Sequence, residues 1–352
     1  MQDYRIILRE DVFDEDYIPP VIFARDKEIE ELRLCLLPAT KGRKPFHAWL
    51  FGPPGTGKTT VARYMLEKLY EESNVMGVYV DCRQARTFYT LLEKILEGLR
   101  RFGLFALPKT LERNLYIKLE TLRKCSQSCK RPLIIVLDEI DQLTERERNN
   151  MLYNLSTMER LGLICIAGSR YPLVLLDDRV NSRLNPTRIE FKPYTVKNLT
   201  EILRARARLA LAPGTYDEIT LEKIAEMAEG DARVAFQILR MAANLAEEEN
   251  ARAISIQHIQ KSYRSATELK MDYELKQLSP HHRLLYEIIK GSPKITSSNL
   301  WRRYVEGCKA MDNEPHSERS FNAYLHDLIR AGLIIRKRLN IRGKVFAYSI
   351  KE

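Results

Sequence analysis

Apolar residues along this chain follow two rhythms. Short unbroken apolar runs bounded by turn-forming residues mark strands covered on both faces, and spacings of three and four mark helices. The runs are Ala48-Trp49-Leu50-Phe51, Gly77 to Cys82, Leu133 to Leu137, and Leu163 to Ala167 with Gly168-Ser169 completing that fourth strand. The helical stripes fall between them: Ile29, Leu32, Leu36 and Leu37 within 25–37; Val61 to Leu66; Leu91, Leu92, Ile95, Leu96 and Leu99 within 88–102; and a further stretch over 110–123. Strands alternating with helices predict an open, mainly parallel α/β sheet. Pro186, Phe191, Pro193 and Tyr194 close it, giving a first domain over 1–194.

Beyond Thr195 the pattern turns helical throughout, with Leu199, Ile202, Leu203 and Leu209 on one helix and Ile224, Ala225 and Met227 on the next. A third helix opens at Gly230-Asp231-Ala232-Arg233 and runs through Val234, Ala235, Ile238, Leu239 and Met241. This predicts an all-α domain over 195–272. In 273–352 three helical stripes (Leu284 to Ile289, Leu300 to Val305, Phe321 to Ile329) precede two β-like runs around Asn340 to Lys344. Three helices and a hairpin describe a winged helix.

The stretch Gly52-Pro53-Pro54-Gly55-Thr56-Gly57-Lys58-Thr59-Thr60 lies between the first strand and a helix. Strand, glycine-rich loop and helix form the setting of a phosphate cradle, in which backbone N–H groups and the helix N-terminus face an anion. Lys58 is the cation for the β- and γ-phosphates, and Thr59 offers its hydroxyl to Mg²⁺. The expected ligands are therefore ATP or ADP with Mg²⁺. The third strand ends in Asp138-Glu139, where ligands of a parallel sheet sit. Asp138 is the candidate metal carboxylate and Glu139 the candidate to orient the attacking water. Arg179 and Arg183 stand a helical turn apart, and either is a candidate for the charge offered to a neighbour's phosphates. Arg233, at a helix start, is a candidate to point back at the nucleotide.

Charge and cysteine usage narrow the setting. The 57 Lys and Arg exceed the 47 Asp and Glu, a net +10, and suit a polyanionic partner. The excess is concentrated at the C-terminus, where Arg336, Lys337, Arg338, Arg342 and Lys344 fall around Gly343 with no acid among them. Arg319, Asn322 and His326 share a face of the third helix of that region, the face that reads a major groove. Cysteines at 35, 82, 125, 129, 165 and 308 are scattered, and the C-x3-C of Cys125 and Cys129 lacks the second pair of a metal site. Reduced thiols, no bilayer-length apolar run and no signal-like start predict a cytoplasmic, nucleoid-associated protein without a membrane partner.

The ordered set GPPGTGKT, LIIVLDEID, the arginines of LDDRVNSRL, FKPY at 191–194 and GDAR at 230–233 resembles the archaeal Orc/Cdc initiators, which are AAA+ proteins. Asp16 to Pro20, Ala24 to Glu28 and Leu152 to Leu155 extend the resemblance over essentially the whole chain. It implies an AAA+ α/β domain with an all-α lid and a C-terminal winged helix. It places Tyr17, Ile18, Ile22, Arg25 and Tyr194 around the adenine and ribose, the loop Pro53 to Thr60 on the phosphates, and Arg233 as the lid's phosphate sensor. It implies origin double-stranded DNA, the replicative helicase and initiator paralogues as partners. DNA contact from the block between the second and acidic strands would fall on Arg83, Arg86 and Tyr89.

One departure stands out. The family has an Asn at the tip of the strand after the acidic one, and here the tip reads Ala167-Gly168-Ser169-Arg170. An arginine accepts no hydrogen bond from water and cannot position it as Asn does. A slow, switch-like ATPase is expected. A regulator of the same fold (an origin antagonist, a transcription factor, a plasmid or virus copy) and a signalling ATPase subunit stay open as alternatives.

Overall fold

The computed structural model describes residues 5–103, 114–128, 132–263, 265, 279–292, 294–311, 314–330, 333–338 and 346–350. The chain divides into two compact units, Met1–Ser262 and Tyr263–Glu352.

The first unit is built on a parallel sheet of five strands: β1 (Ala48–Phe51), β2 (Met76–Asp81), β3 (Leu133–Asp138), β4 (Leu161–Ala167) and β5 (Thr187–Glu190), in the order β2-β3-β4-β1-β5. Around it lie α1 (Asp26–Thr40), α2 (Lys58–Ser73), α3 (Phe88–Arg100), α4 (Leu115–Ser128), α5 (Glu145–Ser156), α6 (Tyr171–Val174) and α7 (Asp178–Leu184). β3 and β4 are buried at every position, which is why their sequences are unbroken apolar runs. The strand period of two still sorts their side chains by face. Leu133, Ile135 and Leu137 join Trp49, Leu163 and Cys165 in a core with α3, α5 and α7. Ile134 and Val136 join Ala48, Leu50, Ile164 and Ile166 in a second core with α1 and α2. Each buried leucine or isoleucine contributes roughly 1.5–3 kcal/mol, so the two cores hold the central strands rigidly in place.

β5 is not visible in the hydrophobic pattern, because only Ile189 of its four residues is buried. β4 starts two residues earlier than expected and ends at Ala167, two residues short of the expected Ser169, which leaves Gly168 to Arg170 in the loop beyond it. The helix expected over 110–123 lies at Leu115–Ser128, and 104–113 are outside the described residues.

The helical part comprises α8 (Val196–Ala210), α9 (Glu218–Met227), α10 (Ala232–Glu248) and a helical stretch, α11, over 256–263. The N-terminal segment is stitched to these helices. Ile6 and Ile7 donate their N–H groups to Glu247 Oε1 at 2.5 and 2.8 Å, and Leu8 and Arg9 donate theirs to Ala210 O at 2.8 and 3.1 Å. Buried Arg206 donates to Val12 O at 2.7 Å, with Tyr17 and Phe236 rings 4.8 and 4.3 Å from its guanidinium.

The second unit contains α12 (Pro280–Lys290), β6 (Ile295–Thr296), α13 (Ser297–Ala310), α14 (Glu318–Arg330), β7 (Ile334–Arg338) and β8 (Phe346–Ile350). The strands form an antiparallel sheet in the order β6-β8-β7. Leu285, Ile289, Leu300, Tyr304, Phe321 and Leu328 meet Ile334 and Tyr348 in its core. The three helices and the hairpin strands lie where the apolar pattern puts them; β6, two residues long, is added to the sheet. Among the described residues no helix is long and apolar enough to cross a membrane.

Candidate nucleotide and nucleic-acid sites

The loop after β1 turns at three glycines with positive φ, Gly52 (151°), Gly55 (68°) and Gly57 (87°). At all three, neighbours leave no room for a side chain, a Cβ on Gly52 standing 2.0 Å from Phe191 O. A Cβ on Gly55 would stand 1.8 Å from Asp231 Oδ1, and one on Gly57 would stand 2.6 Å from the Tyr194 hydroxyl. The start of α10 and the end of the sheet domain therefore close on the loop itself. Ala232 N–H donates to Gly55 O at 3.0 Å, and Tyr194 N–H donates to Gly230 O at 3.1 Å. Asp231 caps α10 by accepting from Arg233 and Val234 N–H at 2.9 and 3.2 Å.

Lys58 opens α2 and is buried, its ammonium donating to Gly52 O and Pro53 O at 2.7 and 2.8 Å. Burial lowers its pKa, Glu139 and Asp138 pull it back up, and Arg233 pushes it down again. Arg233, exposed at the first turn of α10, therefore lies within electrostatic reach of Lys58. Pro53 and Pro54 are exposed on the rim of the loop, while Thr59 and Thr60 are half-buried in the first turn of α2.

The acidic strand meets this loop directly. Thr59 Oγ1 donates to Asp138 Oδ2 at 2.6 Å, the Tyr79 hydroxyl donates to the same oxygen at 2.9 Å, and Glu139 N–H donates to Asp138 Oδ1 at 2.9 Å. Glu139 sits at φ 53°, a left-handed conformation that a glutamate adopts only when its surroundings impose it. Its pKa is raised, first by burial and then by Asp141 and Asp138. Asp141 accepts from Gly168 N–H at 3.1 Å and so ties the acidic strand's exit to the tip of β4. Ser169 and Arg170 are exposed just beyond. Hydroxyl and carboxylate oxygens 2.6 Å apart form a hard-oxygen pair suited to Mg²⁺, and a glycine-lined loop with a buried lysine suits phosphate oxygens, so the side chains fit both groups.

Other expected positions are engaged differently. Arg25 is buried, with Nε on Thr56 O at 3.1 Å, Nη2 on Lys192 O at 2.6 Å, Nη1 on Glu28 at 2.8 Å, and the Tyr194 ring 3.9 Å away. Ile22 packs against the α1–α2 core, and Tyr17 and Ile18 are half-buried. Arg179 and Arg183 are exposed on α7, apart from the Lys58 cluster. Arg183 lies 5.3 Å over the Tyr153 ring, and Arg179 lines a surface depression with Glu145, Asn149, Asn150, Tyr153 and Asp177. Arg83 is paired with Asp81 at 3.0 Å, Arg86 is exposed, and Tyr89 faces the buried Lys118 ammonium at 4.1 Å. Sequence reasoning overlooked Tyr79 and Asp141, whose partners Asp138 and Gly168 are distant in sequence, and Asp231, which packs against the distant Gly55.

On the second unit, Arg319, Asn322 and His326 are exposed along α14, opposite Phe321, Leu325 and Leu328, which face the core. Asn322 Nδ2 donates to Glu318 O at 2.9 Å. Arg336 and Arg338 are exposed on β7, with Arg336 4.6 Å over the Phe346 ring. Arg342, Gly343 and Lys344 lie outside the described residues.

Residues 21–166 match the family model described as AAA ATPase domain, and residues 200–264 match the Cdc6 AAA+ ATPase-type lid domain. The chain is similar to ORC1-type DNA replication protein 1 of Sulfurisphaera tokodaii, 30% identical over 97% of this chain and 88% of that one. It is similar to the ORC1-type DNA replication protein of Thermococcus kodakarensis, 28% identical over 99% and 90%. Among solved structures it is similar to the Aeropyrum pernix ORC1 protein in complex with DNA, with a TM-score of 0.79, 28% identity and coverage of 98% and 94%. The fold is shared with the Aeropyrum pernix ORC2 protein (ADPNP-ADP complexes), at a TM-score of 0.72, 23% identity and coverage of 98% and 94%.

Proposed function

This chain belongs to the family of ORC1-type DNA replication proteins, and on that footing we propose that it is an ATP-switched initiator. It binds origin double-stranded DNA and helps bring the replicative helicase to that site, alone or with initiator paralogues. The observation that carries the switch is the meeting of three segments at one end of the sheet: the Lys58 loop, the Asp138–Glu139 exit and the start of α10. A nucleotide held there touches both the sheet domain and the lid, so its γ-phosphate can bias how the two pack.

Lys58 and the loop N–H groups hold the phosphates. Thr59 and Asp138 hold Mg²⁺, which supplies positive charge to the phosphate oxygens. Glu139 orients water as the base, and Arg233 reaches the phosphates from the lid. Tyr17, Ile18, Ile22 and Tyr194 bound the base and ribose. Arg25, whose N–H groups are already donated to Thr56, Lys192 and Glu28, acts by bracing the loop. Arg179 or Arg183 serves a neighbour's nucleotide. With Ser169 and Arg170 at the tip of β4, turnover is slow. The basic β7 strand contacts phosphates and α14 enters the major groove, the first supplying affinity and the second base reading. The Aeropyrum pernix ORC1 structure in complex with DNA supports this assignment.

A regulator that uses the same fold and loads nothing is the second reading, favoured by Arg170 where Asn is expected. The test is fluorescence anisotropy of the full chain on host-genome duplexes with ATP, ADP or no nucleotide. An initiator should prefer a few fragments over random duplex by about a thousandfold at fixed salt, and nucleotide should change that ratio. Lys58→Ala should abolish ATP binding while leaving basal DNA binding intact; unchanged nucleotide affinity in that variant overturns the phosphate site. Uniform binding to every fragment favours the regulator.

A further inference from the structure

Asp138 is held by more than its metal partner Thr59. The Tyr79 hydroxyl, from the neighbouring strand β2, donates to the same carboxylate oxygen at 2.9 Å. The Tyr79 ring is itself fixed. It packs on the α1–α2 core, and the Arg63 guanidinium of α2 lies 5.1 Å over its face. Arg63 in turn bonds Asp16 at 2.5 Å, next to Tyr17. Asp16 is exposed, so that ion pair adds little energy, but it sets the direction in which Arg63 leans.

We propose that Tyr79 is a positioning residue for the metal-holding carboxylate: by occupying one lone pair of Asp138 Oδ2 it fixes the plane of the carboxyl group toward Thr59. The proposal rests on the reading of Thr59 and Asp138 as the Mg²⁺ pair. A carboxylate on a free χ2 torsion samples a broad range of planes; here Glu139 N–H holds Oδ1 at 2.9 Å, and the two hydroxyl donors on Oδ2 fix the other end of the group. Replacing partners that orient a metal ligand typically costs about 10–100-fold in metal affinity. Tyr79→Phe removes the donor and keeps the ring, the core contacts and the face beneath Arg63.

The experiment measures the affinity of a fluorescently labelled ATP for the full chain, once in saturating Mg²⁺ and once in EDTA. The wild type should bind more tightly with Mg²⁺. Tyr79→Phe should match it in EDTA and in apo melting temperature, yet lose about tenfold of the Mg²⁺-dependent tightening. An unchanged Mg²⁺ advantage in Tyr79→Phe overturns this proposal and leaves the site reading standing. An equal loss in EDTA and Mg²⁺ with a lowered melting temperature also overturns it, as Tyr79 would then be a packing residue. A wild type that binds equally with and without Mg²⁺ removes the site reading itself, and this inference with it.

Discussion

Single residues carry the junction between loop and lid, and Gly55 is the sharpest case. Its φ of 68° and the Asp231 oxygen, which would lie 1.8 Å from any Cβ placed there, give two separate reasons against a side chain. Gly55→Ala should cost about 1–2 kcal/mol from the backbone alone, with a further loss from moving Asp231. Asp231→Ala on its own should cost about 1 kcal/mol as a lost N-cap. Because Asp231 is the obstacle in the first variant, the double variant should be less destabilised than the sum, and urea melts of all four proteins would read the coupling. Strict additivity would mean that the lid helix does not close on the loop. The glycine pattern was legible in sequence as a phosphate loop. That Gly55 answers to Asp231 was not, since the two lie far apart in sequence and only tertiary packing joins them.

At the scale of elements, apolar periodicity reported what is buried and missed what is not. β3 and β4 were plain as unbroken runs, whereas β5, with Ile189 alone buried, and the two-residue β6 gave no signal. The side-chain packing of α12, α13 and α14 is a second thing no pattern predicts. His281 Nδ1 lies 2.9 Å from the Tyr304 hydroxyl and 3.8 Å from Cys308 Sγ, and its ring is 4.0 Å from that of His316. His316 bonds the Tyr324 hydroxyl at 2.5 Å, and His282 meets the Tyr324 ring edge-on at 4.5 Å. Burial, then His316, then His282 lower the His281 pKa below the ordinary 6.5. The folded unit thus binds fewer protons than the unfolded chain near that pH, so the stability tied to His281 is complete above about 6.5 and falls as pH drops below it. The near-UV circular dichroism melt of the second unit should shift down on acidification through that window. His281→Gln, which keeps a polar partner for Tyr304, should flatten the shift; an undiminished pH slope in that variant would place its origin elsewhere.

For the whole molecule, the division at Ser262 sets what nucleotide can stabilise. The proposed nucleotide contacts all lie in the first unit, and they come from its lead-in, sheet and lid together. These parts are already tied to one another, the lead-in through Ile6 and Ile7 on Glu247 and the lid through Ala232 on Gly55. A ligand bound only to the folded first unit should therefore raise the unfolding of all three parts as one transition. At a hundredfold excess over its dissociation constant, ATP adds about 2.7 kcal/mol, which for a unit of this size is roughly 5–10 °C. Calorimetry of the full chain should show that rise in the transition of residues 1–262 and none in that of residues 263–352. Lys58→Ala should remove the rise without lowering the starting temperature by a comparable amount. If ATP lifted both transitions equally, the two units would be unfolding as one body, and the nucleotide's grip would then extend to the second unit through folding itself; if it lifted only part of the first transition, the lid would be melting apart from the sheet, and the three-segment site could not act as a single switch.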